Sequence, residues 1–103
     1  MRAYLIDPAA RSITPVDLDS PDAIRAAIGF ATIDSDEIDD HGHRLFFDEE
    51  CFIRALDGAG RFKLDNLAPV QGKGVVIGSR DGSTALADVA LTLEALQLRV
   101  RFL

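Results

Sequence analysis

Carboxylate, imidazole and thiol groups crowd one stretch of this 103-residue chain, where Asp39, Asp40, His41, His43, Asp48, Glu49, Glu50 and Cys51 follow in close order. All three groups ligate metals, and in an extended segment His41 and His43 share a face. A bound ion needs three or four converging ligands, and no recognised ligand spacing is met here. The run Asp34-Ser35-Asp36-Glu37-Ile38-Asp39 begins like a calcium loop. It then places Ile38 where a third oxygen ligand belongs and has no glycine at the sixth position. The first expectation is therefore a solvated acidic turn without a metal or cofactor. A small-molecule or metal site near His41, His43 and Cys51 is the alternative.

Cys51, beside Glu50 and within reach of His43 across a hairpin, invites comparison with a nucleophile and its base. Neighbouring carboxylates raise a thiol pKa, which is the wrong direction for catalysis. Free cysteine is also usually a small buried apolar residue. Gly72-Lys73-Gly74 lacks the rest of a phosphate-loop pattern and precedes a strand rather than a helix. Ser79 and Ser83 have no nucleophile-elbow setting. No catalytic residue is assigned, and the chain leans away from being an enzyme.

Charge is distributed more informatively than its total. Of the net −6, the window from Asp34 to Glu50 carries −7: Asp34, Asp36, Glu37, Asp39, Asp40, Asp48, Glu49 and Glu50 against Arg44 alone. The remaining chain sums to +1. Concentrated negative charge repels phosphate backbones and anionic lipids, so direct binding to nucleic acid or membrane is disfavoured. The scattered arginines leave room for a local exception. With one cysteine no internal disulfide is available, and no segment approaches the roughly 18 apolar residues of a membrane span. A cytoplasmic location is expected.

These groups must be held by a small fold. The size and the 48% apolar content fit one domain over residues 1–103 with a real core. Gly72 to Ser79 encloses Val75-Val76-Ile77, a β-branched run suited to a central strand covered on both faces. Arg2–Ile6 and Ser12–Leu18 read as a hairpin, with Pro15 demoting the second strand to an edge. Ser20 caps a helix over Pro21–Ile28, whose apolar stripe Ala23, Ile24, Ala27 and Ile28 ends at Gly29. Strands are expected at Phe30–Ile33, His43–Phe47, Cys51–Leu56 and Arg61–Leu64, and a tight turn at Asp81-Gly82. The tail supports two patterns. Leu96, Leu98, Val100 and Phe102 alternate as in a strand, whereas Thr92 as cap and arginines at the far end favour a helix over Thr92–Arg101. The fold class is α+β, a small and mainly antiparallel sheet of about five strands with two helices packed on it.

In this order of elements the chain resembles a family of small uncharacterised proteins of bacteria, plasmids and phages. The resemblance is carried by the strand ending at Asp7-Pro8, the Ile28-Gly29 helix end and the acidic hairpin Leu45-Phe46-Phe47-Asp48-Glu49-Glu50. The Gly72-to-Gly78 strand, the Leu91-Thr92-capped tail and Asn66 complete it. It implies an architecture and a mobile-element context, and it brings no catalytic residue with it.

Together these features point to a non-enzymatic interaction protein, an accessory factor of a mobile element. The eight carboxylates from Asp34 to Glu50 would contact a basic protein partner. The C-terminal helix, on so small a chain, also offers a homodimer surface.

Overall fold

The computed structural model describes residues 1–53, 58–80 and 85–103. Nine strands and two helices are defined among them: β1 (Arg2–Asp7), β2 (Ser12–Asp17), α1 (Pro21–Ile28), β3 (Ile33–Glu37), β4 (His43–Asp48), β5 (Arg61–Leu64), β6 (Val70–Gln71), β7 (Gly74–Ser79), β8 (Leu86–Ala87), α2 (Leu93–Arg99) and β9 (Val100–Phe102). The main sheet runs β2-β1-β7-β4-β3, with β8 pairing the end of β7, and a second sheet runs β6-β5-β9. Every strand pair is antiparallel. The fold is α+β.

β7 is the middle strand, and all six of its residues are buried. Its alternation sends Val76 to one face and Val75 and Ile77 to the other, and two separate cores form there. On one side Val75, Ile77 and Ala3 meet Ile24 and Ile28 of α1. On the other, Val76, Ile6, Leu45 and Phe47 meet Phe62, Leu64 and Val70 of the second sheet, together with Leu96 of α2. Burying Ile24 and Ile28 contributes about 3–6 kcal/mol, which explains how an eight-residue helix holds its place. Gly74 permits the close sheet-on-sheet contact, because a Cβ there would come within 2.7 Å of the Phe62 ring.

Local signals set the helices. The Ser20 hydroxyl accepts the Ala23 N–H at 3.1 Å, and Gly29 at φ 93° closes α1 by donating to the Arg25 carbonyl. Thr92 caps α2 by accepting the Ala95 N–H at 3.1 Å. α2 stops at Arg99, two residues short of the expected Arg101, because Val100 turns extended and opens β9 against β5. Both patterns in the tail are thus used, one after the other.

Two strand expectations are corrected. Phe30–Thr32 is not a strand. Phe30 packs against the α1 core, and β3 begins only at Ile33, where its ladder with β4 starts opposite Asp48. Cys51–Ile53 forms turns, closed by Cys51 N–H to the Asp48 carbonyl and Ile53 N–H to the Glu50 carbonyl, both at 3.0 Å. The rest of the expected Cys51–Leu56 strand and the Asp81-Gly82 turn lie outside the described residues.

Candidate functional site

The acidic window is the β3–β4 hairpin with its two flanking turns, and β3 is an outer edge of the main sheet. Asp34, Asp36 and Glu37 are exposed along that edge, Asp40 is exposed at the hairpin tip, and Glu49 and Glu50 are exposed after β4. Charges along an edge also block strand addition by another chain. Arg44, directly across from Glu37, lies 3.8 Å from its carboxylate and donates through Nε to the Ser35 hydroxyl at 3.1 Å. It offsets the end of the strand and leaves Asp34 and Asp36 unscreened by it.

The other two carboxylates point inward. Asp48 is 1% exposed, and one of its oxygens accepts the Glu50 N–H at 3.1 Å and the Thr32 hydroxyl at 3.4 Å. It shapes the turn after β4 and offers nothing to a partner. Asp39 closes the hairpin tip. One oxygen accepts the N–H groups of His41 (2.8 Å) and His43 (3.2 Å), and the other lies 2.6 Å from Nδ1 of His43. Burial acts to raise the Asp39 carboxyl. The hydrogen bonds from His43 and from the two backbone N–H groups outweigh it and hold the carboxyl below the usual range.

His43 is the centre of this clasp. Its Nε2 accepts the Ala90 N–H at 3.1 Å, so the ring proton sits on Nδ1 and is donated to Asp39. The ring is 5% exposed with both nitrogens engaged. Gly42, at φ 87°, receives the N–H and hydroxyl of Ser79 on its carbonyl at 2.7 and 2.6 Å. Arg99 completes the assembly from the end of α2. Its guanidinium forks onto Asp65, donates to the Ile38 carbonyl at 2.9 Å and lies 3.9 Å from Asp39. The hairpin tip, β7, the segment before α2 and the end of α2 are thereby fastened at one point.

No family model, curated protein or solved structure matches the chain.

The histidine–cysteine site expected as the alternative is not assembled. His43 opens β4 and Cys51 lies in the turn past its other end, after a strand about 16 Å long at strand rise. The chain does not return between them as a strand. His41 is exposed at the tip while His43 is committed to Asp39 and Ala90, so the two histidines do not act together. Among the described residues no three His, Cys, Asp or Glu side chains converge as a metal-binding group. Cys51 is buried. Desolvation pushes its thiol upward and the nearby Asp48 carboxylate adds to this, against a backbone hydrogen bond involving Gln71. No helix among the described residues is long and apolar enough to cross a membrane.

Sequence reasoning missed the Asp39–His43–Ala90 clasp and the role of Arg99. Asp-x-x-Gly-His was legible as turn chemistry, but its further donors come from residues 90 and 99, far along the chain. One depression of about 460 Å³ lies between Tyr4, Val16 and the Val89–Glu94 segment, and there Tyr4 donates to the Leu91 carbonyl at 2.8 Å. A second, of about 870 Å³, lies beside Arg99, Lys63 and Arg101.

Proposed function

We propose that this chain is a non-enzymatic interaction module whose acidic edge contacts a basic surface of a protein partner. One observation carries it. The exposed carboxylates Asp34, Asp36, Glu37, Asp40, Glu49 and Glu50 line one edge strand and the turns at its two ends, with Arg44 the lone cation of that segment. Such a field speeds encounter with a positively charged partner and sets its orientation, and its effect fades with ionic strength. Asp39 and Asp48 belong to the scaffold and are excluded from the contact. A mobile-element accessory role rests on the family resemblance of the sequence alone.

The test is fluorescence anisotropy with a labelled Lys/Arg-rich peptide, comparing wild type with Asp34→Lys/Asp36→Lys/Glu49→Lys. Wild type should bind more tightly than the variant by about tenfold or more, with the gap closing near 0.5 M salt. Equal binding by a folded variant would show that the edge carries only solubilising charge.

A further inference from the structure

The outer face of the second sheet is the electrostatic opposite of the β3 edge. β5 turns Phe62 and Leu64 into the core, which leaves Arg61 and Lys63 on the other face. β9 packs Val100 and Phe102 against the same core and leaves Arg101 outward. The register sets Lys63 directly opposite Arg101. Two cations facing each other across a ladder destabilise the pair unless an anion lies between them. Among the described residues, neither side chain forms a hydrogen bond or an ion pair.

Both line the open depression of about 870 Å³, along with Leu98 of α2, whose side chain is 90% exposed. Arg99 forms part of the wall, but its guanidinium is already committed to Asp65 and the Ile38 carbonyl. The uncompensated charge belongs to Lys63 and Arg101. Arg99 also fixes where the depression lies. The Ile38 carbonyl it holds comes one residue after β3, so the basic depression lies near the hairpin-tip end of the acidic edge.

We propose that the occupant of this depression is a second copy of the chain, related by a two-fold axis. The β3 carboxylates of each copy would seat on Lys63 and Arg101 of the other, with Leu98 supplying apolar contact between them. This rests on the β3 edge being a contact surface, and it names the basic partner of that edge. A two-fold interface uses the same surface on both subunits, so neighbouring patches of opposite sign complement themselves when one copy is rotated onto the other. A nucleic acid entering the depression would meet the nearby β3 carboxylates with nothing to offset them. A second copy brings cations to those carboxylates as well.

The experiment is light scattering coupled to size exclusion, at low and at about 0.5 M salt. At low salt wild type should reach twice its 11.2 kDa mass as concentration rises, without growing further, and should return to monomer at high salt. Lys63→Glu/Arg101→Glu and Asp34→Lys/Asp36→Lys should each be monomeric alone. Mixed one to one, they should recover the dimer, because one of its two contacts then keeps its original charges and the other has both partners reversed, so both are attractive. A wild type that stays monomeric throughout, or a mixture that does not associate, overturns the proposal. So does a dimer that ignores both reversals, or a monomer that instead binds single-stranded oligonucleotide through Lys63 and Arg101. If the basic peptide still binds wild type at the β3 edge while no dimer forms, the edge remains a contact and only its assignment to a second copy fails.

Discussion

Asp36 and Asp39 sit three residues apart on the same hairpin, yet they have opposite physical lives. Asp36 projects from an edge strand into solvent, among carboxylates of its own kind. Asp39 is turned back onto two backbone N–H groups and an imidazole, and its charge is fully used within the fold. Composition cannot separate them. Position on the strand and the donors within reach do, and that divides the acidic window into a scaffold part and a surface part. The contrast is open to direct attack, because damage to the clasp should cost stability while damage to the edge should not.

The largest effect belongs to Gly42→Ala. A Cβ at that position would lie 2.5 Å from the Ser79 carbonyl oxygen, and φ 87° is strained for any side chain besides. Backbone cannot yield as a side-chain tip can. A loss of about 3 kcal/mol or more is expected in urea unfolding, a large fraction of the stability of a small domain. A Gly42→Ala protein with an unchanged midpoint would mean that the tip is not clamped against β7.

Asp39→Ala comes next. It strands His43 Nδ1–H and the N–H groups of His41 and His43, for an expected loss of about 2–4 kcal/mol. Asp39→Asn should recover only part of this. An amide oxygen can serve the two backbone donors, but its NH₂ then faces the Nδ1–H of His43. Shifting the imidazole proton to Nε2 would merely oppose the Ala90 N–H. The same site sets a pH dependence. The Asp39 carboxyl is held below its ordinary range in the folded state, so its stabilisation is present above the unfolded-state value and is lost as pH falls through the folded one. Acid titration of the melting temperature should therefore decline more steeply below the ordinary carboxylate range for wild type than for Asp39→Ala. Parallel curves would show that Asp39 contributes nothing in that window.

What could be read ahead of the coordinates follows the same division between local and distant causes. Pro21–Ile28 was legible because Ser20, Pro21 and Gly29 act within a few residues of themselves. The buried Val75-Val76-Ile77 strand was legible because continuous β-branched residues suit a strand covered on both faces. The second sheet was not. β6 is only two residues long, and β9 is a strand solely because β5 lies beside it, so the alternation in Val100–Phe102 competed with an equally good helical pattern just before it. The inward turn of Asp48 was hidden for the same reason, since its burial depends on the packing at the end of β4 and the Cys51 turn. The site was legible as an acidic segment. Which of its carboxylates face out was not, because partners such as Ala90 and Arg99 are supplied by distant sequence.

The smallest effect carries the sharpest distinction. Asp36→Lys removes one negative charge from a crowded edge and adds a positive one, leaving the core and the clasp untouched. If the edge were part of the scaffold, the substitution would lower the melting temperature. If its carboxylates are held together for a contact outside the chain, they repel one another in the free protein, and reversing one relieves that repulsion. The melting temperature of Asp36→Lys should then rise slightly at low ionic strength, by about 1–3 °C. The gain should vanish near 0.5 M salt, where the Debye length falls to about 4 Å. Basic-peptide binding should weaken in the same protein. A more stable fold with a poorer contact is what a surface kept acidic for its partner predicts, and a variant that loses stability without losing binding would place Asp36 with Asp39 in the scaffold.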